Sequence, residues 1–153
     1  MFPKDKCFRL MSKSGGEATQ VRLTMVNVMG AISIPDKIDI GGLTTEDLAK
    51  GITIKLNGTA INVTKELIET GVTIIHSGVE YDWNALFVEH KAAGITVAIG
   101  DKLAMNITLD DQMKSLLKPG SIEIDVTVEV GGTTKVTHTV DLPAEVVPWT
   151  LEI

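Results

Sequence analysis

The stretch ITIKLNGTAINV, residues 52–63, decides the fold class. Apolar and polar side chains alternate on both sides of Asn57-Gly58, as is typical of strands that bury one face. Asn-Gly accepts the positive φ angles of a two-residue type I′ turn, whose twist matches that of the paired strands. Such a turn places Ile54 opposite Ile61 on the apolar face. The sequence therefore predicts an antiparallel β-hairpin here.

A second hairpin is predicted near the C-terminus. Residues 122–128 alternate between apolar and polar side chains, and Gly131-Gly132 precedes a return strand. A two-residue turn would place Val126 opposite Thr137, whereas a three-residue loop that starts at Gly131 would place Val126 opposite His138. The second register buries more apolar surface, so we expect Val126 opposite His138.

Further strands are expected where apolar and polar residues alternate. These stretches are Val21–Val28, Val72–Ile75, Ile95–Ile99 and Leu103–Leu109. Gly100-Asp101-Lys102 is expected to join the last two as a hairpin with Ile99 opposite Leu103. Single helical turns are expected after the capping residues Thr44 and Asp110, and residues 81–90 fit either a helix or a strand.

The predicted order contains seven to nine strands with short connections and no βαβ alternation. This pattern indicates an all-β fold, an immunoglobulin-like antiparallel β-sandwich with one or two short helical turns. Residues 1–18 have no periodicity and are expected to form a flexible N-terminal arm, whereas residues 19–153 form a single sandwich domain.

Composition disfavours several classes of function. The chain has 153 residues and a formal net charge of −6, and an acidic surface repels phosphate, so we expect no nucleic-acid partner. Cys7 is the only cysteine, so no intrachain disulfide can form. No apolar run reaches the roughly 20 residues that span a bilayer, so we expect no membrane-spanning segment. No signal peptide is recognisable after Met1, which fits a cytosolic protein or a chain that starts after a removed leader.

No motif predicts catalysis, so we expect a protein that is not an enzyme and has no cofactor. His76, His90 and His138 have acidic residues nearby, but their spacing matches no metal-ligand pattern. Asp36 and Asp39 precede a glycine pair in the manner of some calcium loops, although such acids are more often only solvated. We therefore predict no metal site.

Three asparagines head the glycosylation pattern Asn-x-Ser/Thr. Asn57 lies at the predicted turn, while Asn62 and Asn106 fall on the polar faces of predicted strands. All three are expected to be exposed, as glycosylation requires. The alternative is chance, because threonine is frequent in this chain. Exposed sequons favour a glycoprotein at the cell surface or outside the cell.

The C-terminal half resembles a known family in the order of its motifs. Gly100-Asp101 opens the strand Leu103–Leu109, and Lys118-Pro119-Gly120-Ser121 precedes the alternating strand from Ile122, with a glycine turn before Thr133-Thr134-Lys135-Val136. In this order, about a third of the chain resembles archaeal flagellins (archaellins) and the sandwich-fold stator proteins of the archaellum. The resemblance implies an archaellum filament or stator component that binds an envelope (S-layer) protein.

Two features depart from that family pattern. The apolar N-terminal helix of the family is absent, and the last predicted strand ends in Leu142-Pro143 with a tail through Trp149 rather than in threonine-threonine-proline. A chain that starts after the helix would explain the first difference only.

The expected function is protein–protein contact by a non-enzymatic β-sandwich. The C-terminal tail is apolar, and Trp149 is the candidate interaction residue, because interface tryptophans are frequent anchors. Two structures of the tail are possible. If Trp149 is exposed, the tail is an adhesive edge for self-association; if not, the tail is a last strand or strap that covers one sheet. The alternative function is a small-ligand or carbohydrate-binding β-sandwich module, for which the sequence supplies few exposed aromatic residues.

Overall fold

The computed structural model describes residues 8–39, 41–117, 120–129, 132–142 and 146–153. Its strands are β1 (Phe8–Ser12), β2 (Gln20–Val26), β3 (Ile32–Ser33), β4 (Ile52–Leu56), β5 (Thr59–Ile61), β6 (Val72–His76), β7 (Val79–Tyr81), β8 (Thr96–Val97), β9 (Lys102–Thr108), β10 (Gly120–Glu129), β11 (Thr133–Leu142) and β12 (Val146–Pro148). Its helical segments are α1 (Thr45–Gly51), a π-helix (Leu67–Gly71), α2 (Trp83–Phe87) and α3 (Asp111–Leu116).

The strands form two large sheets and one small sheet. The six-stranded sheet has the order β12-β1-β2-β9-β6-β7, the four-stranded sheet has the order β11-β10-β4-β5, and β3 pairs with β8. Strands β1 and β12 are parallel, and the other pairs are antiparallel. The protein is therefore mostly β with few helices, as the alternation predicts.

The hairpin at Asn57-Gly58 is confirmed. Ile54 lies opposite Ile61, and the two turn residues have φ angles of 48° and 80°. The turn is also tied to β10, because the backbone N–H of Glu123 donates to Asn57 Oδ1 over 2.8 Å. A local sequence signal and a long-range contact thus favour the same geometry.

The predicted register of the β10–β11 hairpin is wrong. Val126 lies opposite Val136, and His138 lies opposite Ile124. The described pairing ends at Glu129 and Thr133, so Thr133 lies in β11 and not in the loop that was expected to start at Gly131. The two registers differ by two residues and keep the same side chains on the same face, so the burial pattern could not separate them. Residues 130 and 131 lie outside the described residues.

The N-terminal arm differs from expectation over its described strand. Residues 8–12, which we placed in a flexible arm of residues 1–18, form β1 and pair with both β2 and β12. Leu10 and Met11 are adjacent, and both are buried. A strand that is covered on both faces has no alternation, which explains why the sequence pattern missed it.

The expected hairpin between Ile99 and Leu103 does not form. Strand β8 pairs with β3, whereas β9 lies between β2 and β6 in the large sheet. Ile99 is 68% exposed. Alternation identified the strand at residues 103–109 but carried no information about its neighbours.

The helix starts depend on side-chain caps. Thr44 accepts from the backbone N–H of Asp47, and Asp47 accepts in return from the backbone N–H of Thr44. These hydrogen bonds, first of all the one from the Thr44 backbone, lower the pKa of Asp47. Asp110 caps α3 through the backbone N–H of Met113. The two predicted helical turns are therefore confirmed. Within residues 81–90, Tyr81 ends strand β7 and residues 83–87 form the helix α2.

Candidate functional site

A large apolar cavity separates the two large sheets. Its volume is about 550 Å³. From the six-stranded sheet it is lined by Phe8, Val21, Leu23, Val72, Ile74 and Met105. From the four-stranded sheet it is lined by Ile52, Ile54, Ile61, Val126, Val128 and Val136. These are the inward positions of alternating strands, so the same periodicity that builds the sheets also makes the cavity apolar.

One end of the cavity is closed by direct packing of the two sheets. Leu56 and Ile61 from the four-stranded sheet pack with Val21 and Leu109, and each of these side chains is less than a tenth exposed. Met113 from α3 completes this buried cluster, which is why the helical turn before β10 matters for the cavity.

The opposite end is more open. Ile52 and Val128 pair at the far ends of β4 and β10, and both are only partly buried. Val136 on β11 also lines the cavity, although it is 46% exposed. The cavity therefore runs from a closed end at Leu56 towards an accessible end at Val128 and Val136.

Helices supply the remaining wall. They contribute Leu48, Leu67, Ile68, Trp83, Leu86 and Phe87. The rings of Trp83 and Phe87 are 4.3 Å apart between centroids. The hydroxyl of Thr45 in α1 donates to Glu69 in the π-helix over 2.6 Å, which holds these two wall segments together. A π-helical turn is rare, and such turns are frequent at functional sites.

The lining contains one charged side chain among the described residues, the carboxylate of Asp82. Asp82 is exposed, and its Oδ1 accepts from the backbone N–H of Ala85 over 2.8 Å, which caps α2. The neighbouring Tyr81 also lines the cavity and is 6% exposed. A polar group of a bound molecule that lay next to Asp82 would therefore meet a negative charge.

The walls of this cavity are apolar, and the cavity is open to solvent at one end. Apolar surface that leaves water contributes about 25 cal/mol per Å². An apolar molecule that covered these walls would therefore be bound and would stabilise the fold.

The three glycosylation candidates differ in their exposure to solvent. Asn57 and Asn62 are exposed. Asn106 is only 2% exposed, and its Oδ1 accepts from Arg22 Nε over 2.7 Å. The expectation that Asn106 is accessible is therefore wrong, because a second layer of chain covers the outer face of the six-stranded sheet. Alternation finds the polar face of a strand but not what lies on it.

The C-terminal tail is part of that covering layer. Arg22 donates to the backbone oxygens of Thr150 and Glu152 at 2.6 and 3.0 Å. The Trp149 ring lies 4.9 Å from the Arg22 guanidinium and 4.3 Å from Lys13 Nζ. Burial lowers the pKa of Arg22, yet the group stays protonated, as arginines in proteins do. We call Arg22, Asn106 and Trp149 the clasp; its geometry favours the strap alternative for the tail.

A separate exposed surface lies where β2 and β8 end. Val28, Met29, Ile32 and Ile99, here called the apolar tip, are between 51% and 91% exposed. The side-chain amide of Asn27 holds the two loops together by donating to the carbonyl oxygens of Gly30, Val97 and Ala98. The apolar side chains are thus presented by a hydrogen-bonded scaffold.

His76 and Asp101 support the same loops. His76 Nε2 lies 3.1 Å from Asp101 Oδ2, which also accepts from the backbone N–H of Ala98. The hydrogen bond with His76 lowers the pKa of Asp101, with a further contribution from the Ala98 N–H. The histidine therefore has a structural role here.

Other classes of site are not seen in the described ranges. There, no three His, Cys, Asp or Glu side chains converge as metal ligands, and no helix has the length and apolar character needed to cross a membrane. Comparison with family models, with curated proteins and with solved structures finds no match. The cavity, the clasp and the exposed surfaces are the features of this structure that bear on function.

The clasp yields a direct test of the role of Trp149. We expect Trp149→Ala to lower the free energy of unfolding by about 2 kcal/mol, because it removes apolar contact and the cation–π contacts with Arg22 and Lys13. Chemical denaturation measures the change, and Leu151→Ala, at an exposed position of the same tail, should cost much less. Unchanged stability together with lost self-association would instead favour the adhesive tail.

Proposed function

We propose that this chain is a non-enzymatic binding protein that holds an apolar small molecule between its two large sheets. The observation that carries the proposal is the cavity of about 550 Å³, whose walls are almost entirely apolar. Ligand sites in proteins span roughly 300–1,000 Å³ and combine apolar walls with a few polar groups. The small-ligand alternative of the sequence is thereby favoured over carbohydrate, because sugars need more hydrogen-bonding groups than this lining offers.

The proposal includes an immunoglobulin-like frame for the cavity. Strand orders β1-β2-β9-β6 and β11-β10-β4-β5 support it, since they correspond to the A-B-E-D and G-F-C-C′ sheets of that architecture. Strands β7 and β12 extend the first sheet at its two edges. In this frame the ligand occupies the space that interdigitating side chains fill in an ordinary sandwich.

The lining also suggests the charge of the ligand. Asp82 is the charged group that the described lining presents, and a carboxylate near it would be repelled. A neutral amphiphile, such as a long-chain alcohol, avoids this repulsion and still fills the apolar volume. The proposed ligand class is therefore a neutral apolar molecule rather than a fatty-acid anion.

A cavity-filling substitution tests the site itself. We expect Val126→Phe to raise the free energy of unfolding of the ligand-free protein by about 1–2 kcal/mol, because the ring buries apolar surface in free space. The same change should weaken binding of the neutral dye N-phenyl-1-naphthylamine, measured by fluorescence titration. Unfolding by denaturant measures the free energy of unfolding of the ligand-free parent and variant.

The matched control for that test is Ile75→Phe. Ile75 is fully buried on the opposite face of the six-stranded sheet and does not line the cavity. There the larger ring should cost about 1–3 kcal/mol, as in a filled core. If Val126→Phe is destabilising to the same extent and the parent binds no dye, the cavity is not a binding site.

The charge preference has its own test. We expect hexadecanol to displace the dye at lower concentration than hexadecanoate, and Asp82→Asn to raise the affinity for hexadecanoate by about fivefold. Asparagine still caps a helix, so α2 should persist. Asp110→Asn is the matched control, because Asp110 caps α3 with the same 2.8 Å hydrogen bond outside the cavity. Equal effects of the two variants would contradict a role of the Asp82 charge.

A second candidate function is contact with a partner protein, and the apolar tip favours it. Contiguous exposed apolar side chains mark interaction sites on otherwise polar surfaces. The exposed positions of Asn57 and Asn62 leave room for glycans, which supports the proposed cell-surface location. The archaellum resemblance and an envelope-protein partner belong to this candidate.

Binding to cell envelopes tests this candidate. We expect the parent protein to co-sediment with envelopes isolated from the organism that encodes it, and Met29→Ser with Ile99→Ser to abolish this, since both side chains lie at the apolar tip. Val88→Ser is the control, because Val88 is an apolar side chain that is 62% exposed but is not part of the apolar tip. No binding by the parent, or equal loss in the control, would contradict it.

A further inference from the structure

The four edges of the two large sheets are not equally protected. The edge strands β12, β7 and β5 have three residues each, whereas β11 has ten. Short edge strands are one way in which proteins prevent unwanted pairing. In the part of the chain that the structure describes, β11 has a paired neighbour on one side, β10. Strand β11 therefore offers a long edge to another strand.

The chemistry of β11 does little to block such pairing. Residues 133–142 contain no proline, and their charged side chains are Lys135 and Asp141. Both are exposed and lie on the face that carries Thr137. The pairing of β10 with β11 is continuous from Gly120–Leu142 to Glu129–Thr133, without a bulge. Proline and bulges are among the usual protections of an edge, and this strand has neither; its two charges are of opposite sign and can pair with one another.

We propose that β11 pairs with β11 of a second copy of this chain, antiparallel, about a two-fold axis at residue 138. In that register Lys135 of each copy lies opposite Asp141 of the other, and Val136 lies opposite position 140. Opposite charges at facing positions stabilise antiparallel pairs, whereas like charges destabilise them. Two copies of β11 therefore have complementary charges in this register, and no other partner is required.

The two-fold arrangement also explains why the occupant is a second copy. An antiparallel pair of identical strands is isologous, so it closes as a dimer and leaves no free β11 edge. A parallel pair in register would place Lys135 against Lys135 and Asp141 against Asp141, which is unfavourable. The dimer joins two four-stranded sheets into one continuous sheet, with the charged pairs on the solvent face.

The size of the contact predicts weak association. One strand pair buries less surface than the roughly 1,200–2,000 Å² of standard stable interfaces. The dimer should therefore form in a concentration-dependent manner that sedimentation velocity can follow. The observations behind this proposal are the backbone edge and two surface charges, so it does not require that the cavity bind a ligand.

A charge-exchange cycle tests the proposal. We expect Lys135→Glu and Asp141→Lys each to weaken dimerisation at least tenfold, because each places like charges opposite one another. The double variant, with both substitutions, restores opposite charges and should dimerise like the parent. Lys102→Glu is the control for net charge, since Lys102 is exposed on β9. All the changed side chains are exposed, and circular dichroism verifies that each variant is folded.

Disulfide trapping tests the register. In a Cys7→Ser background, His138→Cys places two thiols at the two-fold axis, where facing strand positions lie within disulfide range. Oxidation should give a covalent dimer. Thr134→Cys is the control, because its thiols would be separated by eight strand positions, about 26 Å.

The outcomes separate the alternatives. A monomeric parent over the whole concentration range, or a double variant that does not recover dimerisation, would overturn the proposal. Cross-linking of Thr134→Cys as readily as of His138→Cys would overturn the register. A parent dimer that is lost in Trp149→Ala but unaffected by the charge exchange would assign the contact to the C-terminal tail and also overturn the proposal.

Discussion

The two large sheets face each other with short apolar side chains, and most of the structure depends on how the space between the sheets is filled. Sandwiched sheets lie about 10 Å apart when their side chains interdigitate. Here the inner faces are largely Val and Ile, and aromatic residues are only 4% of the chain. Direct packing therefore closes one end at Leu56 and Ile61. The rings of Trp83 and Phe87 in α2 form part of the side wall, and the side chains leave a cavity between the two sheets.

The six-stranded sheet can border a cavity because its other face is secured. Along β2, Val21 and Leu23 face the cavity while Arg22 between them is buried on the opposite face. Arg22 bonds to Asn106 and to the C-terminal backbone, and Trp149 lies over its guanidinium. A buried charge is retained only when its donors are satisfied. The clasp thus ties β2 to β9 and to the C-terminal tail on the face of the sheet opposite the cavity.

Local signals predicted local structure well, and contacts between distant segments were the part that could not be predicted. Asn57-Gly58 specifies its own turn, and Thr44 and Asp110 specify their caps, because the relevant hydrogen bonds span a few residues. Strand β1 escaped detection because its adjacent Leu10 and Met11 are buried on opposite faces. Burial of Asn106 depends on Arg22 and on a tail more than forty residues away. The cavity was missed because alternation shows which side chains point inward but not whether they touch.

The two proposals meet at β11. Val136 lines the accessible end of the cavity, while the adjacent Lys135 lies on the opposite face, which carries the charged pairs of the proposed dimer. A ligand that packs against Val136 would hold β11 in its paired geometry, and ordering a strand in advance lowers the entropic cost of adding another. Linkage then requires that dimerisation strengthen ligand binding by the same factor by which the ligand strengthens the dimer. An edge strand that is also a cavity wall is therefore a direct physical route between the two sites.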